Sequence, residues 1–175
     1  MRWLSRSSAF LFAFFLVAAG SAHAQEGNPA LQGTYTLDVS VSDDVNKAID
    51  HTVTRMNALK RPIARSRLQK VNQPYRRVVI AHTSSEVTIT TDSRAPIVTS
   101  PDGTPIQWKR EDGEQFDVST RWKDGKLEQT FKAEDGQRVN TYTISPDGKQ
   151  LTLEAWVTSS RLPRPLSYTL VYNKE

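Results

Sequence analysis

The chain of 175 residues contains no cysteine. That excludes a disulfide scaffold, an iron–sulfur centre, a thiolate zinc site and a thiol nucleophile. It also excludes a bacterial lipoprotein, whose lipid is carried on a cysteine. Histidine is nearly absent: beyond the first 24 residues there are His51 and His82, neither in a metal-ligand spacing nor beside clustered carboxylates. No G-x-S-x-G elbow and no glycine-rich phosphate loop occurs. These absences leave no catalytic constellation, so a non-enzyme without metal or cofactor is expected. Apolar residues make up 37% and charged residues 24%, the polar end of ordinary globular composition, in a length that suits one domain.

One long apolar run exists, and it is N-terminal. Arg2 and Arg6 precede residues 9–19 (AFLFAFFLVAA), and Ala22-His23-Ala24 follows as an A-x-A site. Residues 1–24 therefore read as a signal peptide cleaved after Ala24, with an apolar run too short to span a bilayer. Residues 25–175 are then one domain in the periplasm or secreted. Cleavage removes both arginines and lowers the formal charge from +4 to +2, so overall charge says nothing about nucleic acid.

The strongest local signal is a series of Asp-Gly turns at Asp102-Gly103, Asp112-Gly113, Asp124-Gly125, Asp135-Gly136 and Asp147-Gly148. Asp-Gly supplies the positive φ values of tight hairpins, and a recurrence every 10 to 12 residues fits one strand per interval. Upstream, residues 33–41 place Tyr35, Leu37, Val39 and Val41 on one face. Residues 75–82, 86–91, 95–100, 150–158 and 166–173 read as further strands. The spacing predicts an all-β, up-and-down antiparallel barrel of about ten strands. Residues 43–71 are the exception. Val45, Ile49, Val53, Met56 and Ile63 recur at helical spacing, Ser42, Asp43 and Asp44 offer an N-cap, and Pro62 opens a second helix. A helix-turn-helix lid between strands 1 and 2 is expected.

Hairpin pairing carries one face from turn to turn, with three-residue loops at Pro-Asp-Gly and Glu-Asp-Gly and a two-residue loop at Asp124-Gly125. The inner face is then Val98, Ile106, Trp108, Phe116, Val118, Thr120, Trp122, Leu127, Gln129, Phe131, Val139, Thr141, Thr143, Leu151, Leu153, Ala155 and Val157. The outer face carries Lys109, Asp117, Arg121, Glu128, Lys132, Arg138 and Glu154. A barrel of this strand number is wide enough to enclose a cavity, here apolar with scattered hydroxyls and one amide. Such a wall suits a small hydrophobic or amphiphilic ligand held by Trp108, Phe116, Thr120, Trp122, Gln129, Phe131, Thr141, Thr143 and Leu153. The same aromatics would equally fill a flattened barrel as core.

Gly33-Thr-Tyr-Thr-Leu37, the helix-turn-helix after it and the closing Tyr168-Thr-Leu-Val-Tyr-Asn-Lys174 resemble the fatty-acid-binding-protein branch of the calycins, which includes the lipocalins. Ser145-Pro-Asp-Gly-Lys149, Leu151 and the closing Val-Tyr are similar to exported bacterial lipocalin-like proteins. The resemblance implies a ligand carboxylate held by an arginine and a tyrosine two residues apart. Tyr172 matches that tyrosine, but Leu170 stands at the arginine position, and the family's other inward arginine falls near Thr143. An unpaired carboxylate in an apolar cavity costs several kcal/mol. The expected ligand is therefore neutral or weakly polar, with Tyr168 and Tyr172 as hydroxyl donors.

Residues 51–85 hold eight Lys and Arg and no acid. Lys60, Arg61, Arg65, Arg67 and Lys70 fall on the lid, where each contributes about 1 kcal/mol near an anionic lipid surface. A phospholipid or lipopolysaccharide surface is the expected partner. Two other readings stay open: an envelope interaction module docking through the basic lid over a filled barrel, and a lid paired with the barrel's own acids. Tyr75 is the only aromatic in the stretch, which argues against nucleic acid. Nothing in the sequence speaks to self-association.

Overall fold

The computed structural model describes residues 27–92 and 94–175, so the signal-peptide expectation for residues 1–24 lies outside the described residues. Alternating apolar runs between turns give ten strands: β1 (Gly33–Leu37), β2 (Arg77–His82), β3 (Val87–Thr91), β4 (Ile97–Thr99), β5 (Ile106–Lys109), β6 (Gln115–Lys123), β7 (Lys126–Ala133), β8 (Gly136–Ile144), β9 (Gln150–Ser159) and β10 (Leu166–Lys174). They pair antiparallel in the order β4-β3-β2-β1-β10-β9-β8-β7-β6-β5. The result is a nearly closed barrel with β4 and β5 as its free edges. The end of β4 and the loop after it reach β6 instead of β5: Thr99 Oγ1 donates to Thr120 Oγ1 at 2.7 Å, and the Gly103 N–H donates to the Thr120 carbonyl at 2.9 Å. Val98, expected to pair across a Pro-Asp-Gly hairpin and face inward, points outward at 41% exposure; Thr99 takes the inner position.

Two helices, α1 (Val45–Val53) and α2 (Arg61–Val71), cover one end of the barrel. Strand β1 is shorter than its alternation suggests. Asp38 Oδ1 accepts from the Ser40 N–H at 3.0 Å, turning the chain after Leu37 and leaving Val39 and Val41 exposed rather than inside. Asp44 caps α1 by accepting from the Asn46 and Lys47 N–H groups at 3.0 and 3.2 Å. Asp43 Oδ2 accepts from the Thr169 N–H at 2.7 Å, which fastens the entry to α1 onto β10. Val45, Ile49 and Val53 bury one face of α1, whereas α2 buries Leu68 alone and leaves Ile63 exposed. The far end is closed by a 3-10 turn, Pro29–Leu31, whose Leu31 is fully buried. His82 serves this closure, with Nε2 at 3.0 Å from the Asn28 carbonyl and its ring edge-on to Trp122.

Gly103, Gly113, Gly125 and Gly148 have the positive φ expected of Asp-Gly turns. Gly136 does not. Its loop has two residues, because Ala133 pairs directly with Gly136. A side chain there would meet the Thr158 carbonyl at 2.5 Å, so close approach to β9, not φ, requires this glycine. Losing one loop residue inverts the whole of β8. Val139, Thr141 and Thr143, expected inside, face outward, and Arg138, expected outside, faces inward with Asn140 and Tyr142.

Candidate functional site

The barrel interior divides into two layers. Toward the 3-10 turn, Tyr35, Trp122, Leu127, Tyr142, Leu151, Leu153 and Tyr172 are buried against one another and fill the space. Burial raises the Tyr142 and Tyr172 phenols well above their usual range, and raises Tyr35 to about 12, so all three stay neutral. Toward the helices, a cavity of about 740 Å³ opens beneath α2. That lies within the roughly 300–1,000 Å³ typical of small-molecule sites.

The β5–β6 hairpin and β7 supply the aromatic wall. Register places Trp108 opposite Phe116, and Phe131 one strand further on. The ring centroids stand 5.9 Å (Trp108–Phe116), 5.9 Å (Trp108–Phe131) and 6.3 Å (Phe116–Phe131) apart. Leu68, Val71 and Met56 roof the cavity from the lid, and Val157 joins from β9.

Arg138 enters this wall opposite Phe131 and Val157. Its Nε donates to Asn140 Oδ1 at 2.7 Å and its Nη1 to Asn72 Oδ1 at 3.1 Å. The guanidinium lies 5.7 Å from the Tyr168 ring centroid. Burial opposes its charge, but the phenols of Tyr168, Tyr75 and Tyr142 outweigh that, and its pKa sits above the ordinary arginine value. Three other arginines of the rim have acidic partners. Arg110 pairs with Asp112 at 2.8 Å and with Glu114, Arg161 with Asp135 at 2.6 Å, and Arg94 with Glu111 at 3.9 Å. The Arg110 hydrogen bond holds the Asp112 carboxyl down to about 2. Among the described residues no carboxylate lies within ion-pair distance of Arg138. It is a cavity-facing cation whose protein partners are all neutral, the amides of Asn72 and Asn140 and the side chain of Tyr168.

Of the residues chosen from sequence, Trp108, Phe116 and Phe131 line the cavity. Thr120, Trp122, Gln129, Leu153, Tyr168 and Tyr172 point inward but do not line it. Thr120 is bonded to Thr99, Gln129 accepts from the Tyr142 hydroxyl at 3.3 Å, and the Tyr168 hydroxyl donates to Asn72 Oδ1 at 3.3 Å. The buried Tyr172 hydroxyl has no protein partner among the described residues. Thr141 and Thr143 are on the outside of β8, for the register reason given above. On the lid, Lys60 and Arg67 border the cavity mouth and Lys70 is exposed. Arg61 donates to the Met56 carbonyl at 3.0 Å, and Arg65 pairs with Asp50 of α1 at 2.8 Å, so these two brace the lid internally. Sequence reasoning missed Arg138, Asn72 and Asn140. The available signal was Tyr142: a large aromatic two residues from Asn140 and four from Arg138 belongs inside, and alternation carries both with it.

No known protein-family profile matches the chain, and no curated protein matches it by sequence. Its fold is shared with solved structures. An abundant heat soluble (SAHS) protein of Ramazzottius varieornatus is 8% identical, with a TM-score of 0.60 over 85% of this chain and 97% of that one. Human cRBP IV is 18% identical, with a TM-score of 0.53 over 83% and 98%. Fatty-acid-binding protein 1 of Echinococcus granulosus is 11% identical, with a TM-score of 0.52 over 83% and 97%. The chain thus shares the barrel fold of these structures, a likeness of fold alone at these identities.

Proposed function

We propose that the protein is a carrier for an amphiphile with an acidic head group, the head bound at Arg138 and the tail packed on Trp108, Phe116 and Phe131. The observation that carries this is a charged guanidinium facing an aromatic-walled cavity without a carboxylate partner. It reverses the neutral-ligand expectation, which depended on Arg138 lying outside. Arginine presents a planar fork of donors suited to carboxylate or phosphate, and Arg138 has donors left after Asn72 and Asn140. A fatty-acid-binding protein of the same fold carries such a cargo in its name, which supports the reading. With residues 1–24 as a signal peptide, the carrier works in the periplasm or outside the cell.

Titration with dodecanoate and with dodecanol, of equal chain length, tests the reading. Among the described tryptophans only Trp108 lines the cavity, since Trp122 lies in the filled layer and Trp156 on the outer surface. Dodecanoate is expected to bind about tenfold more tightly than dodecanol and to change tryptophan emission, tenfold corresponding to about 1.4 kcal/mol. Trp108→Phe is expected to silence the emission change while calorimetric binding persists. Equal affinity for the two ligands rejects the head-group assignment, and no binding of either rejects the carrier.

Docking of the helical end on anionic lipid is favoured by a separate observation. Val39, Val41, Leu59 and Ile63 are all exposed at that end, Leu59 at 84%, beside Lys60, Arg67 and Lys70. Apolar side chains flanked by cations suit an anionic bilayer surface. Leu59→Asp with Ile63→Asp is expected to reduce co-sedimentation with phosphatidylglycerol vesicles severalfold without unfolding the chain. Undiminished co-sedimentation would remove the docking reading and leave the carrier reading intact.

A further inference from the structure

Asn72 occupies the C-cap of α2 and is 2% exposed. Its backbone N–H and its Nδ2 both donate to the Leu68 carbonyl at 2.9 Å, closing the last turn of the helix. Its Oδ1 accepts twice, from Arg138 Nη1 at 3.1 Å and from the Tyr168 hydroxyl at 3.3 Å. The rest of α2 is lightly held, with one buried side chain and a side-chain bond from Gln69 and an ion pair from Arg65 that both lead back to α1. Among the described residues, the hydrogen bonds from the end of α2 to the barrel wall are those of Asn72.

An amide oxygen satisfies a guanidinium N–H but leaves the positive charge uncompensated. An anion brought to Arg138 makes a charge-assisted hydrogen bond about twice as strong as one between neutral groups. Bound on the donors that Asn72 and Asn140 leave free, it draws the guanidinium toward itself and strains the bond to Asn72 Oδ1, whereas an uncharged ligand does not. As Arg138 shifts to the anion, Asn72 leans more on the Tyr168 hydroxyl, and the turn it caps is less firmly tied to the wall. We propose that Asn72 is a positioning residue that transmits the charge of a ligand at Arg138 to the lid. Coupling of this kind is reciprocal: whatever holds Arg138 more firmly on residue 72 must weaken the anion. The inference rests on the acidic-head-group reading and adds to it a route by which cargo loosens its own cover.

Asn72→Asp is nearly isosteric and places a carboxylate where the amide oxygen stands, giving Arg138 an internal counter-ion. Dodecanoate affinity is expected to fall by about tenfold or more while dodecanol affinity stays within about twofold, since only the charged head competes with the new ion pair. In the native chain, dodecanoate is expected to speed hydrogen exchange at the Asn72 amide by roughly threefold relative to dodecanol, because that amide closes the turn being released. A variant that weakens both ligands alike, or an Asn72 amide that exchanges equally with either ligand bound, overturns the proposal. Should Asn72→Asp fail to fold, the exchange comparison on the native chain decides alone. If native protein binds dodecanoate no better than dodecanol, the head-group reading itself fails and takes this inference with it, a result seen before any variant is made.

Discussion

Arg138→Met is expected to lower dodecanoate affinity by roughly ten- to a hundredfold and leave dodecanol within about twofold, because a hydrogen bond to a charged group contributes about 1.5–3 kcal/mol. Methionine keeps an apolar stem of similar reach and removes the charge. Two effects on stability oppose one another. Asn140 Oδ1 loses its donor, and Asn72 Oδ1 is left with the Tyr168 hydroxyl alone. Against that, a cation taken out of water without a counter-ion carries a desolvation penalty that an apolar side chain of similar volume relieves. The net change in urea unfolding is expected within about 1 kcal/mol of zero, far less than the loss of one partner from a closed buried ion pair. A guanidinium acting as a structural strut would give the opposite pattern: a large drop in stability, and no distinction between acid and alcohol. Calorimetric titration beside chemical unfolding of the same variant separates the two.

The parts of the molecule that were legible in the sequence are those governed by local rules. Four of the five Asp-Gly signals carry glycine at positive φ, those at Gly113 and Gly125 join paired strands with the expected loop lengths, and Asp44 before an amphipathic run marked the start of α1. The barrel type followed, because apolar alternation on successive hairpins has few other ways to bury one face. The turn at Gly103 joins two strands that do not pair, the loop after β8 is longer than expected and returns β9 to its expected face, and the count that inverted β8 failed at Gly136. Glycine there meets a long-range demand, clearance from Thr158 on the neighbouring strand, and no local signal distinguishes that from a turn requirement. In β8 both faces read acceptably: Val139, Thr141 and Thr143 are the less polar set, so alternation alone favoured them. The inner set, Arg138, Asn140 and Tyr142, is the more polar because it forms a hydrogen-bonded chain from the cavity down to Gln129. Buried polar groups that satisfy one another escape a rule based on hydrophobicity. The same slip hid the site's cation. A second loss concerned depth: alternation says which side chains face inward, but not which half of the barrel they fill, so Trp122 and Leu153 were grouped with Trp108.

Leu153→Ala shows what that difference of depth means physically. Leu153 is fully buried on β9, in register with Tyr142 of β8 and Leu170 of β10, both of them buried in the filled layer. The strands around it are mutually paired along their length, so the site has little room to collapse on a smaller side chain. Truncation of a buried leucine costs about 2–5 kcal/mol, from lost transfer energy plus the void left behind. Set against a typical total of about 5–15 kcal/mol, this is a large fraction of the stability. At about 2–4 °C per kcal/mol for a domain of this size, thermal unfolding is expected roughly 4–20 °C lower. Dodecanoate affinity, measured where both proteins are folded, is expected to change by less than about twofold, since a side chain below the cavity touches no ligand. Arg138→Met and Leu153→Ala thus separate: one loses binding with little stability, the other loses stability with little binding. An affinity loss in Leu153→Ala without a fall in melting temperature would mean that the ligand reaches the layer described as filled, and that the acidic head lies at one end of a much longer site.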